Sequence, residues 1–140
     1  MAVGRVHKKG EVDLCKLVKE IRQNLGTEVG ALGCFVGIVR GTAKSGERVD
    51  LLHYEATEEA ATVLTEIAKE VQERFGLEEL QIHHVIDDLK PGEDAIYVVA
   101  CGKHRKEVFQ ALVEAMELVK SKAPVWKKEI TPSGGYWVEG

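Results

Sequence analysis

The stretch GALGCFVGIVRGTAKSGERVDLLHYEA, residues 30–56, decides the fold class. Residues 31–39 are apolar and rich in strand formers, 41–46 form a polar loop, and 49–54 make a second strand. The pair reads as a hairpin with a flexible tip. Gly30, Gly33 and Gly37 lie in the first strand and predict a bulge or a close backbone approach. They lack the G-x-G-x-x-G spacing of a dinucleotide site. Arg40 ends the strand. An arginine there is ordinarily a solvated edge charge, but its planar fork is well suited to phosphate.

Upstream, residues 2–7 alternate weakly and predict a short edge strand. Asp13 then reads as a helix N-cap, with Leu14, Leu17, Val18, Ile21 and Leu25 at helical spacing and Gly26 closing the helix. Downstream, Thr57 reads as the cap of a second helix. Its apolar stripe is Ala60, Val63, Leu64, Ile67, Ala68, Val71 and Phe75, and Gly76 ends it. Residues 80–86 and 95–101 predict two more strands, joined by the turn DDLKPGED. His83 and His84 are neighbours on a strand and point to opposite faces, which predicts one packed and one exposed. A metal site joining either of them to Cys101 has no zinc-ligand spacing behind it.

The third helix follows the lead-in GKHR, with Val108, Ala111, Leu112, Ala115 and Val119 as its stripe. Lys120 falls on the flank of that stripe, in the last turn, because Pro124 cannot continue a helix. The segment VKSKAPVWKKEITPSGGYWVE, residues 119–139, gathers Lys120, Lys122, Lys127 and Lys128 in a chain with 23 acidic and 19 basic residues. Cations concentrated on an acidic protein predict an anion pocket, with Trp126 as a rigid wall. His104 and Arg105 begin a helix, where free N–H groups favour anions. Alone they read as a solvated helix start, and Lys120 alone as a cation at a helix C-terminus. Trp126 and Trp137 are expected to pack on the body or on a partner subunit.

At 140 residues, 44% of them hydrophobic, the chain reads as one domain, residues 1–140, with its own core. A net charge of −4 argues against a general nucleic-acid binder. No apolar run reaches membrane-spanning length, and the N-terminus has no signal-peptide core. Cys15, Cys34 and Cys101 are scattered and form no C-x-x-C, which predicts buried free thiols and a cytoplasmic setting.

The order of elements predicts an α+β fold of antiparallel β-hairpins packed with about three helices. On the motifs GIVR, HR before the third helix, and LVKSKAPVWKKE followed by G-x-W-V, the chain closely resembles the large, catalytic subunit of molybdopterin synthase. The resemblance covers nearly the whole chain and implies an α/β hammerhead type of fold. It also implies a sulfurtransferase activity on cyclic pyranopterin monophosphate. The sulfur would come from the C-terminal Gly-Gly thiocarboxylate of a small ubiquitin-like carrier, in a heterotetramer built on a homodimer. By motif, Lys120 and Lys127 match the family's catalytic lysines. Ile38, Val39, Arg40, His104, Arg105, Lys128 and Glu129 match positions lining its substrate pocket. The chain departs from the family at His84 and Ile86, where arginine and glycine are common. No metal or redox cofactor is implied, and neither nucleic acid nor membrane is a partner. Neighbouring cations are expected to lower the pKa of Lys120 and free its amine as a base or nucleophile. The competing reading is a non-catalytic module that binds a phosphometabolite or nucleotide, which has no reason to share all three motifs.

Overall fold

The computed structural model describes residues 1–138. Glu139, the last residue of the cationic C-terminal stretch, lies outside them. The elements run β1 (Ala2–His7), α1 (Leu14–Gln23), β2 (Ala31–Ile38), β3 (Leu51–Ala56), α2 (Ala60–Phe75) and β4 (Glu79–Val85). They continue through β5 (Asp88–Leu89), β6 (Asp94–Gly102), α3 (Arg105–Lys122), β7 (Val125–Thr131) and β8 (Gly134–Val138). Two four-stranded sheets result, ordered β1-β4-β6-β2 and β5-β3-β7-β8. Among the described residues only β1 and β4 run parallel; every other strand pairing is antiparallel. The α+β class and the three helices agree with the sequence.

The helical stripes explain the layering. Leu64, Ile67, Ala68 and Val71 of α2 and Val108, Ala111, Ala115 and Val119 of α3 are all buried. They close over Leu80 and Ile82 of β4 and Ile96, Val98 and Ala100 of β6. The alternate residues of β6, Val99 and Cys101, face the other way and meet Ile21 of α1. The first sheet is therefore covered on both faces, and a strand buried on both sides reads as a continuous apolar run, as β6 does.

The expected hairpin of residues 30–56 does not form. β2 pairs with β6, while β3 lies in the second sheet between β5 and β7. Residues 39–50 separate the two strands, too long a connection for a tight turn to hold them together. A register shift between Gly37 and Ile38 also turns the chain out of the first sheet. The true adjacent hairpins are β4–β6, which spans the 87–94 turn, and β7–β8.

Helix ends differ in detail. Asp13 caps α1 by accepting a hydrogen bond from the Lys16 N–H at 3.2 Å. The C-cap is Asn24 rather than Gly26, whose N–H instead donates to Glu78 at 2.7 Å. The N-cap of α2 is Glu59, because residues 57–59 form a turn before the helix begins. Gly76 closes α2 in the left-handed conformation at φ 61°, as its position predicts. Cys101 is buried but Cys15 and Cys34 are exposed, which corrects the expectation of three buried thiols. No helix among the described residues is long and apolar enough to cross a membrane.

Both histidines of β4 are buried, where one was expected at the surface. The sheet is covered on both faces, so alternation leaves neither in water. Gln81 donates to Glu79 through its amide nitrogen at 2.6 Å, so its oxygen accepts from His83 Nε2 at 2.8 Å. His83 Nδ1 is then the acceptor for His7 Nε2, also at 2.8 Å. Burial, with His7 and Arg5 nearby, drives the His83 pKa down to about 4. Burial does the same to His84, also to about 4. Both rings are neutral when folded but take up protons near pH 6.5 when unfolded. Stability is therefore full above pH 6.5 and falls as the pH drops toward 4. We expect a loss of about 2 kcal/mol per buried histidine at pH 5. Urea midpoints at pH 7.5 and pH 5 test this, with His83→Gln flattening the slope; an unchanged midpoint would contradict the arrangement.

Candidate active site

Residues of both sheets line a cavity of about 500 Å³. Its lining comes from the end of β2 (Phe35, Gly37, Ile38, Val39, Arg40), the 41–49 loop, β3, the last turns of α3, and β7. Strand alternation explains four of the lining residues, though not Trp126. Leu52 and Tyr54 of β3 pair with Glu129 and Lys127 of β7, and these four share the inner face. Lys120 reaches the cavity from the final turn of α3, just before Ala123 takes an extended conformation and starts the chain toward β7.

Gly37 shapes the β2 wall. A Cβ there would stand 2.6 Å from Ile96 Cγ2 and 3.5 Å from the Phe35 ring. Its absence lets Phe35 lie across the strand and face the cavity. Beyond the strand, the Val39 N–H donates to Glu93 O at 2.9 Å, and Gly92 N–H donates to Val39 O at 2.8 Å. Val39 is buried, so Arg40 is carried on an anchored backbone rather than on a loose loop.

Four cations, Arg40, Lys44, Lys120 and Lys127, face one carboxylate, Glu129. None of the four has an ion-pair partner among the described residues. Lys127 is half-buried, and burial is the main cause of its lowered pKa. Lys120, Lys44 and Arg40 lower it further, and Glu129 opposes them. β7 carries Lys127 into the cavity, whereas Lys120 stands exposed at the helix end. The inner wall is Tyr54 edge-on to His84, ring centroids 5.2 Å apart. Burial pushes the Tyr54 hydroxyl up to about 12, so it stays protonated and can donate.

Of the nine residues singled out in the sequence, Ile38, Val39, Arg40, Lys120, Lys127 and Glu129 line this cavity. Lys128 does not; alternation turns it to the outer face, with its amine 5.5 Å from the Trp137 ring. His104 and Arg105 stand at the other end of α3, about 22 Å from Lys120 along its axis. One chain therefore brings cations from three segments together, but those segments are the β2 end, the 41–49 loop and the α3–β7 corner. Sequence reasoning missed Lys44, Tyr54 and His84. Tyr54 and His84 were legible only as strand residues, and Lys44 only as part of a polar loop. Trp126 lines the cavity as expected, but it is 51% exposed and Trp137 56%, so neither is packed away on the body of the chain. Among the described residues no group of three or more His, Cys, Asp or Glu is placed to hold a metal ion.

Residues 7–122 match the family described as MoaE protein. The molybdopterin synthase catalytic subunit of Pseudomonas aeruginosa is 41% identical over 121 residues, covering 84% of this chain and 77% of that protein. The crystal structure of molybdopterin synthase from Staphylococcus aureus superposes with a TM-score of 0.84 at 29% identity, covering 99% of this chain and 97% of that one. A complex of subunits 1 and 2 of the molybdopterin-converting factor from Helicobacter pylori shares the fold, with a TM-score of 0.72 at 22% identity over 96% of this chain and 88% of that one.

Proposed function

This chain belongs to the MoaE family, the catalytic subunits of molybdopterin synthase, and from that premise we propose a sulfur transfer in its cavity. The donor is the C-terminal thiocarboxylate of a small ubiquitin-like carrier, and the acceptor is cyclic pyranopterin monophosphate. The product is the dithiolene of molybdopterin. The observation that carries this reading is the set of four cations without ion-pair partners among the described residues, ringing one cavity. Their missing counter-charge is what an anionic pterin and an anionic carrier tail bring. The Helicobacter pylori complex of subunits 1 and 2 of the molybdopterin-converting factor is in keeping with a partner subunit.

In this reading the thiocarboxylate sulfur attacks an oxygen-bearing carbon of the pterin side chain, forming a C–S bond as the C–O bond at that carbon breaks and its oxygen leaves as water on protons relayed in the cavity. The resulting thioester is opened by water, which returns the carrier as a carboxylate. Lys120 moves protons or transiently bonds carbon at the cavity mouth. Lys127, with its ammonium form disfavoured, holds the phosphate and steadies developing negative charge. Arg40 offers its fork to the phosphate, and Ile38, Val39 and Glu129 shape the wall. His104 and Arg105, remote from the cavity of their own chain, serve the pocket of a second copy in a homodimer within a heterotetramer. The reaction needs no metal or redox cofactor from this subunit, because sulfur arrives already activated. Its three cysteines are free, in keeping with a cytoplasmic setting.

The test is reconstitution with purified chain, thiocarboxylated carrier and pyranopterin precursor, with product followed by fluorescence after oxidation. Turnover that depends on all three components is expected. Tight phosphate binding without turnover would instead make the chain a binding module. Lys127→Ala is expected to cost roughly 10²-fold in rate, by analogy with the loss of a transition-state hydrogen-bond donor.

A further inference from the structure

We propose that Lys44 is an oxyanion contact of this cavity, held over its mouth by a loop that the fold straps down. The inference rests on the functional reading above and adds a residue that no motif marks. Residues 41–49 are not a loose tip. Ala43 N–H donates to Glu47 O at 2.8 Å, Gly46 N–H to Ala43 O at 2.9 Å, and Val49 N–H to Gly41 O at 2.9 Å. Thr42 and Arg48 form an isolated bridge across the loop. Ala43 and Val49 are 6% and 3% exposed, so two apolar side chains anchor the loop in the body. A fourth fastening comes from outside, where the Ser133 hydroxyl donates to the Glu47 carboxylate. Ser133 sits in the turn between β7 and β8, and β7 carries Lys127.

The strap thus ties the position of Lys44 to that of Lys127. Lys44 lines the cavity and has no carboxylate partner among the described residues. Its charge acts on Lys127 more strongly than that of Arg40 does. An ammonium is a compact point charge with three donors on a flexible stem, suited to an oxyanion whose exact orientation varies. Phosphate of the small substrate and the thiocarboxylate of the carrier tail both present that chemistry.

The reconstituted synthase tests this, with KM measured separately for precursor and for carrier. Lys44→Ala is expected to raise one of the two by roughly fivefold at low ionic strength, with a gap that narrows in high salt. Which KM rises identifies the anion. Lys44→Arg should stay near the wild type, and Ser133→Ala should raise the same KM by less, because it loosens the strap without removing a charge. Unchanged KM values for both substrates in Lys44→Ala would overturn the contact, and an unchanged KM in Ser133→Ala would overturn the strap. If the wild type makes no product, the functional reading fails. Inorganic phosphate titrated into wild type and Lys44→Ala then decides the contact independently: a weaker affinity in the variant supports it, and equal affinity overturns it.

Discussion

Replacing Lys120 with alanine is expected to lower the rate of sulfur transfer by about 10²- to 10³-fold. The fold should survive. Lys120 is exposed, it makes no ion pair among the described residues, and alanine is the better helix former. The structural cost is the loss of one cation near a helix C-terminus, about 0.3–1 kcal/mol. A rate loss of that size with an unchanged urea midpoint would locate the effect in the chemistry. Lys120→Arg separates two roles. It keeps the charge but has no amine able to give up a proton or bond carbon near neutral pH. If arginine restores most of the rate, Lys120 acts as a fixed charge; if it is as poor as alanine, the amine itself reacts. Full activity in Lys120→Ala would remove the assignment altogether.

Gly4→Ala is expected to destabilise the protein by about 3 kcal/mol or more, through overpacking against atoms that cannot yield. A Cβ at Gly4 would stand 2.2 Å from Thr65 N and 2.3 Å from the carbonyl carbon of Leu64, both in the backbone of α2. Leu64 is fully buried at the centre of the main core, so the helix cannot move aside without opening it. Thr65 clamps the same point: its hydroxyl lies 3.2 Å from Gly4 N and 3.0 Å from Gly4 O. The added methyl therefore forces β1 off α2 and strains its parallel pairing with β4. A urea midpoint within error of the wild type would show that the strand is not held this closely. Gly4 does not line the candidate site, so product formation per folded molecule should be nearly unchanged.

These two positions differ in how they could be found. Lys120 is visible in the sequence because a proline stops the helix just beyond it and lysines cluster around it. Gly4 carries no such mark, since its constraint is a helix sixty residues away in the chain. The same division runs through the site. Arg40, Lys120 and Lys127 stand at strand and helix ends that local rules locate. Lys44, Tyr54 and His84 join them only because residues of both sheets and of the 41–49 loop line one cavity. The sequence places Lys127 and Lys128 side by side, and strand pleating then sends one inward and the other out onto Trp137.

Taken alone, the amino-acid order determined the three helical stripes, the strand-forming runs, the α+β class and the family. Each of these depends on propensity and periodicity over neighbouring residues, or on motifs that are themselves contiguous. Strand partnership was decided only in the folded chain. β2 and β3 look like one hairpin, yet β2 pairs along its whole length with β6, and β3 along its whole length with β7. The assembly of the cavity followed from that choice, because separating those strands into two sheets is what opens the gap where the cations meet.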